Sequence, residues 1–269
     1  MDAAGWEFAE RPPDARLAGL VLRYEGYALS SARPTERREL PGTTLPLVIA
    51  FGEGFTLDGA PMRSFTGGLQ ETSVLTGWPA RVQGVQIDLS VLGAGVLLGV
   101  PLSELTGRLV ALEDVFGPLA ERLAERLYEL PGWSARFALL DDLLLARLAE
   151  ARSPGPALTW AWRRIHETGG ALDIGTLADD LDCGRQHLTT RFRHTFGVPP
   201  KALARLRRFE LAARLVEEGA LPLAEVAART GYSDQAHFTR EFRRFAGSSP
   251  REHLRLRRTE PTADAVTAG

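Results

Sequence analysis

The chain has 269 residues, 44% hydrophobic and 25% charged, the make-up of a soluble globular protein with room for two domains. Its longest nearly apolar run, VLGAGVLLGVPL at 91–102, is too short to cross the roughly 30 Å hydrocarbon core of a membrane. The acidic start MDAAGWEFAE lacks the basic and apolar regions of a signal peptide, so a cytoplasmic location with no membrane partner is expected. A lone cysteine, Cys183, excludes an intrachain disulfide and any multi-cysteine zinc site. The formal charge of −2 is unevenly spread. Residues 157–258 carry 18 Lys/Arg against 12 Asp/Glu, or +6, and the remainder 14 against 22, or −8. Such a division suggests that only the C-terminal part meets a polyanion.

In chain order, the first hundred residues read as strands. The runs at 17–29, 44–52 and 80–90 are short, apolar or alternating, and bounded by Gly, Pro and Ser. In VQGVQIDL, Val82, Val85, Ile87 and Leu89 are candidates for one buried face, with a bulge expected at Gly84. A small antiparallel sandwich or barrel is expected over 1–100. Tyr24, Tyr27, Phe51, Phe55 and Trp78 are candidates for an apolar pocket, or equally for core.

From 101 the pattern turns helical, and 101–150 is expected to form a helical hairpin. Phe116, Leu119, Leu123, Leu127 and Leu130 make one stripe, and Phe137, Leu140, Leu144 and Leu148 another, broken by Pro131-Gly132. The pair serves either as intrachain core or as a homodimer interface. ARSPGP at 151–156 has linker composition. All five histidines lie beyond residue 165, so no imidazole is at hand upstream for a metal site or acid–base chemistry. Glu53, Asp58, Glu71 and Asp88 are not paired at any meaningful spacing. No catalytic residue, metal or cofactor is expected.

The segment 157–258 contains a repeat. TLADDLDCGRQHLTTRFRHTFG (176–197) matches EVAARTGYSDQAHFTREFRRFAG (225–247) at offsets of 49 and then 50, so the second copy has one extra turn residue. Each copy fits a helix-turn-helix. Ala178 or Ala227 allows close approach, a Gly- or Asp-containing turn follows, and Leu188 and Phe192, or Phe238, Phe242 and Phe245, form the buried stripe. Gly197 and Gly247 end the second helices. Between the copies, Lys201 to about Val216 reads as a helix of roughly 24 Å at 1.5 Å per residue. Two recognition helices on such a connector would stand about 34 Å apart, one turn of B-DNA. Cys183 reads as a small hydrophobe filling a turn or as a thiol sensor. Arg205, Arg207 and Arg208 read as phosphate ligands or as a solvated helix face, and the tail at 259–269 as disordered.

The doubled unit, the extra turn residue and the string GYSDQAHFTREFRRFAGSSPREHLR resemble the AraC/XylS family of bacterial transcription regulators over about 157–257. The resemblance implies an α+β chain: a seven-helix DNA-binding domain preceded by a β-rich, often cupin-like domain (1–150) for effector binding or dimerisation. It implies double-stranded promoter DNA as partner, a homodimer, a possible small-molecule effector, RNA polymerase contact if the protein activates, and a nucleoid location in the bacterial cytoplasm. Carried over by position, the base-reading faces are Gln186, Thr189, Thr190 and Arg193, and Gln235, Ala236, Thr239 and Arg240. Gln suits adenine, Arg guanine, and Thr or Ala the thymine methyl. Arg185, Arg191, Arg243, Arg244 and Arg251 read as phosphate contacts. Asp182 departs from the glycine that the family often has in the first turn. A regulator without an effector, or an enzyme domain tethered to DNA, are the competing readings. The fused repair methyltransferases of the latter kind need an N-terminal cysteine, which is absent.

Overall fold

A computed structural model describes residues 5–151 and 153–257; the expected tail at 259–269 lies outside them. The N-terminal part runs β1 (Gly5–Arg11), β2 (Val21–Ser30), β3 (Thr35–Glu39), β4 (Thr44–Ala50), β5 (Phe55–Leu57), β6 (Ala60–Met62), β7 (Phe65–Gly67), β8 (Val74–Trp78) and β9 (Arg81–Ser90). Helices α1 (Val91–Leu97) and α2 (Leu102–Leu105), strand β10 (Leu109–Ala111), and helices α3 (Leu112–Phe116), α4 (Leu119–Glu129) and α5 (Trp133–Glu150) complete it. The remainder is helical: α6 (Pro156–Glu167), α7 (Ile174–Asp179), α8 (Arg185–Phe196), α9 (Pro200–Glu218), α10 (Leu223–Arg229), α11 (Gln235–Ala246) and α12 (Pro250–Arg257). No helix among the described residues is long and apolar enough to cross a membrane.

The strands form two antiparallel sheets, β1-β2-β9-β4-β7-β10 and β3-β8-β5-β6. The period-2 alternation of a strand sorts the large sheet into two unlike faces. Leu45, Leu47, Ile49, Val85, Ile87 and Leu89 belong to the core shared with the helices. Val48, Val82, Tyr27 and Phe65 point the other way, into a smaller cluster with Phe55 and Leu57 of the second layer. Val82 therefore does not share a face with Val85, Ile87 and Leu89. Nor is Gly84 a bulge: it pairs in register with Tyr27, and the ladder's irregularity falls at Val21 and Arg23. Gly84 is needed for close approach, because a Cβ there would stand 2.6 Å from the Ile49 carbonyl and 3.0 Å from the Tyr27 hydroxyl.

Helices α4 and α5 cover the outer face of the large sheet. Leu123, Leu127, Phe137, Leu140 and Leu144 are buried. Trp133 rests on the bare backbone of Gly26, and Phe137 stacks on Tyr24 with ring centroids 5.6 Å apart. The two leucine stripes are thus largely intrachain core. The hairpin proper is shorter than the 101–150 expectation, since 101–116 holds two short helices and an edge strand. Asp141 ties this layer together, accepting from the Tyr24 hydroxyl at 2.8 Å and the Asp14 backbone N–H at 2.9 Å, and pairing with Arg11.

One hydrophobic core runs through both parts of the chain. The C-terminal end of α8 sits on α1 and α2: a Cβ on Gly197 would stand 2.8 Å from the Leu102 carbonyl. Near α9, the Thr43 hydroxyl donates to Glu210 at 2.6 Å.

Candidate nucleic-acid interface

The two repeats fold into matching units. Ala178 and Ala227 are buried under their second helices, and Leu188, Phe192, Phe238, Phe242 and Phe245 are almost fully enclosed. Phe209 of α9 packs on Phe242 and Phe245, with centroids 5.3 and 4.7 Å apart, so the connector shares the second unit's core. At 19 residues, α9 is about 28 Å long.

The turns show where the repeats diverge. Asp182 and Gly231 stand at equivalent places, and both adopt left-handed backbone, with φ of 49° and 75°. Aspartate is among the few non-glycine residues that visit this region, so the departure at Asp182 leaves the turn's geometry intact. The extra residue of the second unit follows that point. Its helix starts on Asp234, whose carboxylate accepts the His237 backbone N–H at 2.6 Å. That hydrogen bond holds the Asp234 carboxyl below the usual carboxylate range. Helix α8 starts on Gly184, with no side-chain cap. Gly197 and Gly247 end the two helices in left-handed conformation.

A family profile described as a helix-turn-helix domain matches residues 177–256, spanning both units. The C-terminal domain is of the AraC/XylS type. No curated protein matches the chain. Among solved structures, the DNA-binding domain of AdpA in complex with a target DNA is 31% identical, over 38% of this chain and 89% of its own, with a TM-score of 0.33. The C-terminal domain of AraT, a response regulator from Geobacillus stearothermophilus, is 25% identical, over 40% and 90%, with a TM-score of 0.36. ToxT from Vibrio cholerae aligns over 93% of this chain and 98% of its own, at 10% identity and a TM-score of 0.47.

In this AraC-type domain Gln186, Thr190 and Arg193 of α8 are exposed, as are Gln235, Ala236 and Arg240 of α11; Thr189 and Thr239 are half-buried. The Thr239 hydroxyl donates to the Gln235 carbonyl at 2.8 Å, leaving its lone pairs and methyl for a partner. Arg185, Arg191, Arg243 and Arg251 are exposed. Arg244 is exposed but engaged, 2.5 Å from Glu71 of the N-terminal domain. Beside it the Ser73 backbone N–H donates to the Phe245 carbonyl at 2.8 Å, and its hydroxyl to the Ala246 carbonyl at 3.2 Å. The loop between β7 and β8 therefore caps the C-terminal end of α11. Arg205, Arg207 and Arg208 all have internal partners: Glu241 at 2.8 Å, Glu210 at 2.7 Å and the Gly170 carbonyl at 3.1 Å. Cys183 is half-buried against the core, as a small hydrophobe would be.

A cavity of about 650 Å³ opens between the two sheets and is bordered by α9. Tyr27, Phe55 and Trp78 line it; Tyr24 and Phe51 do not. Tyr24 lies under α5, and Phe51 meets Tyr128 and Arg136 on the same outer side. Parity explains the split, because residues three apart on a strand, such as Tyr24 and Tyr27, face opposite ways. Beside Tyr27, on the same face of the large sheet, the lining becomes charged. Arg23 pairs with Asp88 at 2.6 Å and Glu25 at 2.8 Å, and burial pushes the Glu25 carboxyl up. The Tyr27 hydroxyl and Trp78 Nε1 are buried without a hydrogen-bond partner among the described residues, and burial also raises the Tyr27 phenol. The border from α9 consists of Glu210, Ala213, Arg214 and Glu217.

Proposed function

We propose that the protein is a sequence-specific DNA-binding transcription regulator whose N-terminal domain takes a small-molecule effector. The carrying observation is the pair of helix-turn-helix units with exposed Gln and Arg on both second helices, joined by one rigid helix. Reading two successive major grooves with one subunit follows from that arrangement. Effector control is supported by the cavity between the sheets, whose size suits a small ligand. Its apolar wall and two unpartnered donors favour an amphiphilic molecule carrying a hydrogen-bond acceptor. Because α9 borders the cavity, an occupant bears on the helix that sets the spacing of the two recognition helices. Differential affinity for two such arrangements is what control by a ligand requires.

Self-association is supported by Leu139 and Leu143, half-buried one turn apart on α5. The protein would act in the bacterial cytoplasm on promoter DNA, with RNA polymerase as a further partner if it activates, and would catalyse no reaction. Titrating the full-length protein onto duplex promoter DNA at several salt concentrations tests the reading. Tight binding whose affinity falls linearly with log salt is expected; no binding at low salt would refute it. A thermal-shift screen of the same protein against amphiphilic small molecules tests the effector.

A further inference from the structure

A second cleft, about 600 Å³, lies between the two helix-turn-helix units. Its wall comes from the loop before α7, the first residue of α8, one face of α9 and the start of α11. Arg185, Lys201, Arg205 and Arg208 meet there, with two carboxylates, Asp173 and Glu241.

These groups are not equivalent. Glu241 is met by Arg205, and Arg208 is spent on the Gly170 carbonyl and the face of Tyr232. Both arginines shape the wall. Asp173 is engaged as the N-cap of α7, accepting from the Gly175 and Thr176 N–H groups. Arg185 lies over Gly175, where a Cβ would overlap its guanidinium, and reaches within 3.8 Å of Asp173. Lys201 is exposed, with no ion pair or hydrogen bond from its side chain among the described residues. It is the only lysine in the chain, where every other cation is arginine.

Position gives the cleft its meaning. Arg185 is the first residue of α8 and His237 the third of α11, so the N-terminal ends of both second helices flank it. Those are the ends that enter the major groove. DNA that seats both helices has to carry its intervening phosphates across the cleft. We infer that this cleft is a seat for the DNA backbone between the two grooves, with Lys201 as its main cation and Arg185 as its second. A compact ammonium with three rotatable donors suits a phosphate passing at a variable angle, where a guanidinium fork demands one geometry. The seat adds affinity and fixes register, and reads no sequence.

The inference rests on the DNA-binding reading, and one experiment separates the two. Full-length wild type, Lys201→Gln and Lys201→Arg are titrated onto mixed-sequence duplex DNA across a salt series. Losing one phosphate contact should flatten the slope of log affinity against log salt by about 0.9, equally on any sequence. Lys201→Arg should restore most of the slope. The same preparations are acetylated with an amine reagent, the N-terminal amine serving as the internal reference for the single lysine. DNA should protect Lys201, whereas inorganic phosphate or pyrophosphate should not. A wild-type slope for Lys201→Gln, or acetylation unaffected by DNA, overturns the seat while leaving DNA binding in place. Protection by pyrophosphate equal to that by DNA overturns it in favour of a small-anion site. Failure of the wild type to bind DNA removes both readings.

Discussion

The two helix-turn-helix units share a plan but are held at their ends by different chemistry. Helix α11 starts on a carboxylate cap and finishes under polar groups of the N-terminal domain, Ser73 and Glu71. Helix α8 starts on an uncapped glycine and finishes packed against the backbone of α2 and the helix α1. Polar clasps of the first kind exchange readily for water or phosphate, whereas packing of the second kind gives way only by a shift of whole elements. The N-terminal domain thus has an adjustable grip on the second unit and a stiff one on the first. Under the proposed effector control, this asymmetry predicts that the second unit is released before the first.

The largest expected effects test whether the shared plan extends to the cores. Phe192 and Phe242 occupy equivalent places and are both fully buried. Replacing either by Ala should cost about 3–5 kcal/mol of stability, measured by denaturant unfolding. Similar costs support equivalent cores. A much smaller loss for Phe192→Ala would mean that the first unit is held by its docking on α1 and α2 more than by its own core.

Next in size are the exposed faces of the two second helices. Arg240→Ala and Gln186→Ala should each weaken operator binding by about 1–3 kcal/mol and relax specificity at one base pair, read by selection of bound sequences. Equal loss on all sequences would reassign either residue to the backbone. Comparing the two shows which unit carries more of the specificity.

This comparison was partly legible in the sequence, and the reason is distance. The repeat, the Gly- or Asp-containing turns and the stops at Gly197 and Gly247 are short-range signals, so both units could be placed from the sequence. In the β-rich part, burial on both faces blurred the alternation, and Val82 was grouped with residues on the far side. Tyr24 and Phe51 entered the candidate pocket by residue type; their parity relative to Tyr27 and Val48 already argued against them. Contacts between the parts left no local trace. Glu71 and Arg244 are 173 positions apart, and Thr43 and Glu210 are 167 apart. Lys201 carries no signal of its own in the sequence, because the residues that surround it come from three other helices and a loop.

A smaller effect tests the adjustable grip. Both partners of the Arg244–Glu71 pair are substantially exposed, so the pair adds at most about 1 kcal/mol to stability. Glu71→Gln should leave the unfolding midpoint nearly unchanged while freeing Arg244 for phosphate. Affinity should rise by up to about fivefold, on operator and unrelated DNA alike. Unchanged affinity would show that the clasp does not compete with DNA.

The smallest effect concerns the helix starts, where the two units differ most plainly. Gly184 has extended backbone, with φ −67° and ψ 143°, and open space around a would-be Cβ. Serine fits there, and its hydroxyl can accept the N–H of Gln186 or His187. Gly184→Ser should stabilise the protein by a few tenths of a kcal/mol, seen as a small rise in the urea midpoint. The counterpart in the second unit is Asp234→Ala, which should lower that midpoint. Its effect should depend on pH with a definite sign. The folded Asp234 carboxyl is held below its ordinary value by the His237 N–H. Its contribution is therefore complete above the ordinary carboxylate range near pH 4 and is lost as pH falls through the lowered value. Wild type and Asp234→Ala should converge in acid, while wild type and Gly184→Ser keep a constant gap, since serine does not titrate. If Gly184→Ser lowers the midpoint instead, the start of α8 is set by its docking on the N-terminal domain, and the first unit's stiffness extends along its whole length.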